Sequence, residues 1–366
     1  MESSNIVMEP RSRASVRLSV VIPNYNHGSL VGDAVRAFAQ QEPAPDEIIV
    51  VDDGSTDDSL ARLSALSSEF PTLRVLALEQ NQGTVAALNH GLQAARGIFI
   101  NFGAADDLTH PGLFKATLSA LERHLEAVLA CTEGLVVDLT RPGRAHARPP
   151  ILPAYEEAYL GPREVAALLR FADNWLLAGT VVIRRDAIID AGGFDPKLRS
   201  FADGLLFKQL ALRHGFCFIP MVGMTWKISP SGYSRSEAAD LSRSFEVMNR
   251  SIARMKADPA FPSWYPAVFE RRWRFGLARI AISAQPMRKA TLLQLACGPL
   301  GRFVLNLAVA FDGTFGRTLA LTWFVLQERP MSLLALVRTA SFRRLRFCLR
   351  AGLGDIAPRA RSNSAR

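Results

Sequence analysis

The chain has 366 residues, 49% of them hydrophobic and 21% charged, a composition too apolar for disorder and long enough for a large core or two domains. Its net charge of +9 is unevenly placed, with 17 Lys and Arg against four Asp and Glu from Val268 onward, so a basic region that suits an anionic partner follows a mildly acidic body. No charge-free apolar run approaches the ~18 residues of a membrane helix. Cys131, Cys217, Cys297 and Cys348 lack metal-ligand spacing, which excludes a zinc-type centre and leads us to expect reduced thiols and a cytoplasmic protein.

Residues 1–16 carry Glu2, Glu9, Arg11 and Arg13 and no apolar stretch, so a flexible tail is expected there. Strand patterns follow at Leu18–Pro23, Glu47–Val51, Arg74–Leu78, Ile98–Phe102 and Ala127–Ala130. Most are apolar throughout, as strands buried on both faces of a mostly parallel sheet are. Between them, Leu30, Ala34, Val35 and Phe38 share one helix face, Leu60, Leu63 and Leu66 a second, and Val85, Leu88 and Leu92 a third. The alternation predicts an α/β fold with a doubly wound, mostly parallel sheet, in which ligands bind at the carboxyl ends of strands.

Arg141 to Pro153 reads as an irregular, proline-rich loop. A second segment to Pro220 holds a strand at Thr180–Ile183, a turn at Gly192–Asp195, a helix over Asp203–His214 and a strand at Phe216–Ile219. A boundary near Ala238 divides a body of residues 17–237 from a mainly helical, basic region of residues 238–366. In the latter, Phe342, Leu345 and Leu349 fall on one helix face and Arg343, Arg346 and Arg350 on another, with Arg344 beside them. That pattern suits either an anionic membrane surface, making the protein peripheral, or a helix packed on the body with its arginines in water. No nucleic-acid motif accompanies the charge, so no nucleic acid partner is expected.

Chemistry concentrates after three strands. Strand one ends in Pro23-Asn24-Tyr25-Asn26, strand two in Asp52-Asp53-Gly54-Ser55, and strand four is followed by Asp106-Asp107. A carboxylate after strand two can accept hydrogen bonds from a base or ribose, and Asp106 with Asp107 offers paired hard oxygens to Mg²⁺ or Mn²⁺. Each motif alone also reads as a turn or a helix cap; their joint placement on one sheet edge points to a site.

VVIPNYN, IIVVDDGSTDDS, LNHGLQAARG, IFINFGAADDLTHP and the later GGFDPKL…FADGLLFKQLALRHGFCFIP together are similar to glycosyltransferase family 2, over roughly Arg17 to Pro220. The resemblance implies an A-type glycosyltransferase fold. It implies that Pro23, Tyr25 and Asp53 hold the nucleotide, that Asp106 contacts the ribose, and that Asp106 and Asp107 hold the metal. It also implies that Asp203 is the catalytic base, taking the proton of an acceptor hydroxyl as that oxygen attacks the anomeric carbon. Asp195 and Asp173 are the alternative carboxylates, and a helix N-cap is the structural alternative for Asp203 itself.

The implied partners are a nucleoside diphosphate sugar donor and a saccharide or glycolipid acceptor, with inversion and Mg²⁺ or Mn²⁺ as cofactor. The sequence departs from the family pattern at Ala104, where the strand-four motif often begins with Asp, at Leu88, where Arg often precedes Asn89, and at Ala202, where Glu often precedes the base. These departures keep open a non-catalytic sugar-nucleotide-binding protein. A nucleotidyltransferase on a similar fold is disfavoured, because residues 24–28 contain no Lys or Arg for a phosphate loop. Phe269–Trp273 (FERRW) resembles the Gln-x-x-Arg-Trp signature of processive polysaccharide synthases, but Phe269 replaces the Gln; a solvated basic helix face is the expectation there.

Overall fold

The structure, a computed structural model, describes residues 17–139, 145–148, 152–228 and 240–330. The expected tail, the boundary near 238 and the amphipathic segment 341–350 lie outside the described residues.

Two compact units divide the chain, the first made of residues up to Arg148, Ala154–Ala167 and Leu176–Glu270. Its centre is a 10-stranded sheet. The N-terminal strands are β1 (Leu18–Asn24), β2 (Glu47–Asp52), β3 (Leu73–Ala77) and β4 (Phe99–Phe102). They pair in the order β3-β2-β1-β4, all parallel. Helices α1 (Gly28–Ala39), α2 (Ser59–Glu69) and α3 (Thr84–Ala94) connect them, giving the doubly wound half that the apolar runs predict. The runs are apolar throughout because both faces are covered: Ile48 to Val51 are fully buried. α3 approaches the sheet closely enough that a Cβ at Gly91 would overlap the side chain of Val21, so a small residue is required at that crossing.

Beyond β4 the sheet turns mixed. β9 (Val182–Arg184) runs antiparallel to both β4 and β6 (Leu129–Asp138), while β10 (Phe216–Ile228) runs parallel to β6. The short β5 (Leu108–Thr109) and β8 (Ala158–Leu160) pair antiparallel with β10. One sequence reading is corrected here: the stretch read as an irregular loop contains β7 (Ala145–Arg148), antiparallel to β6. Its residues are His, Arg and Ala, without the apolar alternation that marks a strand, and its pairing comes from the neighbouring β6. Helix α4 (Leu113–Arg123), which the sequence reading passes over, buries Phe114 against Phe38 of α1, ring centroids 6.0 Å apart; the short helices α5 (Pro162–Leu168) and α6 (Arg185–Asp190) follow it in the chain.

The last helix wholly inside the first unit, α8 (Leu241–Ala257), begins at the cap of Asp240, whose side chain accepts the Arg243 amide. It buries Met248 and Met255 and places Arg250 and Arg254 against Asp195.

The second unit comprises Leu168–Trp175 and the chain from Arg271, with Pro149–Pro153. In its described part Arg272 and Arg274 are internal anchors. Arg272 pairs with Asp173 at 3.2 Å and donates to the carbonyls of Leu169, Arg170 and Pro330. Arg274 pairs with the buried Glu328 at 3.1 Å. The solvated-face reading of FERRW therefore fails at Arg272, whose side chain is 11% exposed: a helical period locates a face but does not reveal carbonyls waiting for a guanidinium. Both arginines lie on α9 (Tyr265–Ser283), and three further helices, α10 (Lys289–Leu295), α11 (Gly298–Ala310) and α12 (Thr314–Glu328), complete the unit. Among the described residues no helix is long and apolar enough to cross a membrane. Cys131 and Cys217 are buried free thiols, as expected.

Candidate active site

The loops after β1 and β2 are locked together by side chains. Asn24, at the end of β1, donates to Asp52 at 2.8 Å. Asp52 also accepts the Ser55 amide at 2.9 Å and its hydroxyl at 2.8 Å, so the first carboxylate of the pair is spent on the turn. Asn26 accepts the Thr56 amide at 2.8 Å. The Oδ1 of Asn24 is a buried acceptor with no protein partner, an arrangement that a ligand's N–H would satisfy.

Asp53, the second carboxylate, is 2% exposed. It accepts the amides of Gln82 and Gly83, each at 2.8 Å, and so ties the loop before α3 to the end of β2. Gly54 between the two turns has φ +70°, and a side chain there would strike the backbone of Gln80 and Asn81; glycine is required on both counts. Pro23 lies half-buried at the strand end and Tyr25 is 43% exposed at the rim, so the phenol ring has a free face for a planar ligand.

Asp106 and Asp107 follow β4 and are both partly buried. Asp107 accepts the Lys227 amide of β10 at 3.0 Å, held there by the β5–β10 pairing that sets Leu108 opposite Thr225. Burial first, and then the adjacent charge of Asp106, push the Asp107 carboxyl up to about 7, against the opposing effect of Lys227. His110 bonds the Thr225 hydroxyl at 2.8 Å and is held below its ordinary range by burial; it serves the hairpin. Among the described residues no group of three or more His, Cys, Asp or Glu could hold a metal. A cation at Asp106–Asp107 would therefore complete its shell from water and phosphate oxygens, the usual arrangement for Mg²⁺.

Asp203 lies on a different element, in the first turn of α7 (Ala202–His214). The N-cap is Phe201, so the capping role held open for Asp203 is not what the structure displays. Its carboxylate accepts the Gly204 amide at 2.6 Å, and burial raises its pKa while Lys208 and Arg148 oppose the rise. Both basic residues escaped the sequence reading. Lys208 is buried under the Phe201 ring, its Nζ 5.0 Å from the centroid and 3.1 Å from the Gly204 carbonyl. Arg148 stacks on Trp226 at 5.2 Å. A lysine in an otherwise apolar helix run was a usable signal for the first; the second sat in the stretch read as loop. The alternative carboxylates are engaged: Asp195 with Arg250 and Arg254, and Asp173 with Arg272.

Residues 19–189 match the glycosyl transferase family 2 model. Over those residues the chain is similar to glycosyltransferase family 2. Among its relatives, the uncharacterized protein MT1568 of Mycobacterium tuberculosis is 27% identical over 78% of this chain and 91% of its own length. The succinoglycan biosynthesis protein ExoU of Rhizobium meliloti is 35% identical over 29% of this chain; that alignment spans 31% of ExoU. The fold recurs in solved structures. Staphylococcus aureus TarS 1–349 in complex with UDP-GlcNAc has a TM-score of 0.58 at 18% identity, over 87% of this chain and 93% of TarS 1–349. The mannosyltransferase PcManGT of Pyrobaculum calidifontis, with GDP-Man and Mn²⁺, has a TM-score of 0.53 at 18% identity, over 90% of this chain and 88% of that one. The A-type fold inferred from the motifs is thus the fold found, and the chain is a glycosyltransferase by class.

Proposed function

We propose that this family 2 glycosyltransferase moves one sugar from a nucleoside diphosphate sugar to a hydroxyl of a saccharide or glycolipid acceptor, by a single displacement with inversion. The observation that carries the reading is the arrangement after β1, β2 and β4: an exposed Tyr25, an orphaned Asn24 acceptor, the fixed Asp53 and the Asp106–Asp107 pair, all at the carboxyl ends of parallel strands. Pro23, Tyr25 and Asp53 would seat the base, and Asp106 the ribose. Asp106 and Asp107 fit a divalent cation, because two adjacent, partly buried carboxylates repel one another until a cation joins them. Mg²⁺ or Mn²⁺ bound there supplies charge to stabilise the departing diphosphate.

Asp203 would receive the acceptor's proton. Its elevated pKa makes it a stronger base than a surface carboxylate, while Lys208 and Arg148 favour its ionised form. TarS and PcManGT, with UDP-GlcNAc and GDP-Man bound respectively, support a sugar nucleotide as donor. ExoU, named for succinoglycan biosynthesis, supports a polysaccharide intermediate as acceptor. In this proposal the enzyme is cytoplasmic and peripheral, on the membrane face where a glycolipid presents its hydroxyl.

Calorimetric titration of nucleoside diphosphate sugars with Mn²⁺, and then with chelator, tests the reading. Binding that requires the cation, followed by release of nucleoside diphosphate when acceptor is added, is the expected result. Absence of sugar-nucleotide binding under both conditions would refute it.

A further inference from the structure

Helices α11 and α12 are apolar on two faces. On one, Gly301, Leu305 and Ala308 of α11 and Gly316, Ala320 and Phe324 of α12 form the buried seam between them, with Gly301 against the Trp323 ring and Gly316 against the Ala308 carbonyl. On the other, Leu300, Phe303, Leu307 and Phe311 recur at spacings of three and four, and each is open to solvent: Leu300 at 64%, Phe303 at 66% and Phe311 at 59%. Phe315, 66% exposed, continues the stripe around the turn, its ring edge-on to Phe311 at 6.2 Å. Leu321 and Leu326 are exposed further along α12. A water-facing helix keeps one apolar side, and a contiguous exposed patch of this kind marks a surface that meets something.

Charge selects the occupant. Arg271 to Pro330 holds nine Arg and Lys against two carboxylates. Both carboxylates are consumed internally, Asp312 by Arg317 at 2.7 Å and Glu328 by Arg274 at 3.1 Å. The outward-facing charge is thus uniformly positive, with Arg279, Lys289, Arg302 and Arg329 exposed. Two copies of a unit carrying this excess would bring like charge near like charge, which is costly. An anionic lipid surface meets both properties at once: phenylalanine and leucine enter the acyl boundary while Arg and Lys remain among the headgroups. Neither helix can span a bilayer, so contact in the plane of the interface is the geometry available.

We propose that the Leu300–Phe303–Leu307–Phe311–Phe315 stripe is a membrane-docking face that inserts into anionic lipid. This deepens the peripheral reading given above by naming the surface that makes contact, and it does not depend on the catalytic assignments.

The test is flotation of the full chain with vesicles of phosphatidylglycerol and phosphatidylcholine, and with phosphatidylcholine alone. The variants are Phe303→Ser/Phe311→Ser/Phe315→Ser and, separately, Leu300→Gln/Leu307→Gln, so that one remains if the other misfolds; melting temperature and light-scattering mass are measured beside each. The wild type should float with the anionic vesicles at low salt and lose binding as salt rises. The triple variant should partition about tenfold or more weakly, since burial of even one phenylalanine is worth roughly that factor. Equal flotation of a folded variant overturns the proposal. So does a wild-type dimer that the variant converts to monomer, which would make the face a self-interface. If Arg343→Gln/Arg344→Gln/Arg346→Gln/Arg350→Gln alone abolishes flotation, this face is refuted while the peripheral reading stands; if the wild type never floats, both fall.

Discussion

Asn89 grips the peptide of Phe194 from both sides: its Nδ2 donates to the Phe194 carbonyl at 2.8 Å and its Oδ1 accepts the Phe194 amide at 3.0 Å. The pair joins α3, next to the proposed nucleotide loops, to the glycine turn that leads into α7. Asn89→Ala leaves two partly buried backbone groups without partners. It should cost about 1–3 kcal/mol, read as a lower urea midpoint at unchanged m-value. Asn89→Asp should fail similarly, because a carboxylate cannot donate to the carbonyl.

Glu47 is the buried hub beneath the first sheet edge. It accepts the Ser19 hydroxyl and the Arg96 amide, each at 2.6 Å, and pairs with Arg74 at 2.8 Å. Burial alone would raise its pKa, but these bonds outweigh burial and hold it below the ordinary value. A depressed folded pKa adds stability above the unfolded value of 4.5, and that increment is lost as pH falls through the folded value. Glu47→Gln should be about 1–3 kcal/mol less stable near neutral pH. The gap to wild type should shrink steadily below pH ~5 in denaturant titrations.

The parallel half of the sheet was legible because strands buried on both faces write themselves as unbroken apolar runs, as in Glu47–Val51. The mixed half was not. β7 carries Arg and His and is a strand only by virtue of β6, and β10 runs on through Pro220 with register shifts on either side of Val222. The proposed site residues were visible as motifs, but their supports were not. Nothing in the sequence says that Asp53 is bonded to the Gln82 and Gly83 amides or that Asp107 is clamped by Lys227, since each requires knowing which loops meet.

Asp106 and Asp107 should serve the cation and not the core. Asp107→Ala should weaken Mn²⁺-dependent donor binding, with Asp106→Ala a milder case. Asp107→Ala also frees the Lys227 amide, so a small loss of stability, at most ~1–2 kcal/mol, should accompany it. Calorimetry with and without chelator checks the assignment; variants that match wild type under both conditions refute it.

Asp203→Asn separates catalysis from packing. The substitution keeps an acceptor for the Gly204 amide, so melting temperature and donor Kd should remain near wild type. If Asp203 is the base, kcat should fall by ~10²–10⁴. In the wild type kcat should decline toward acid as Asp203 protonates, at a pH above the ordinary carboxylate range because burial raises its pKa. The Asn variant should lack that limb.

Asp53→Ala should differ in kind from the metal variants. It strands two amides in a nearly inaccessible place, so we expect a loss of about 2–4 kcal/mol in stability together with weaker nucleoside diphosphate binding, even in chelator. Unchanged affinity in the folded variant would remove Asp53 from the nucleotide site.

The hydrogen bonds of the site also set an order of birth. Asn24 to Asp52 and Asp53 to Gln82 close over separations of 28 and 29 residues, whereas Asp107 waits for Lys227, 120 residues downstream. Nearby contacts are cheap to close and distant ones slow. A chain emerging from the ribosome can therefore shape the loops after β1 and β2 as soon as β4 is made, while its acidic pair stays unclamped until β10 appears. Synthesis itself separates the proposed nucleotide cradle from the proposed catalytic edge in time.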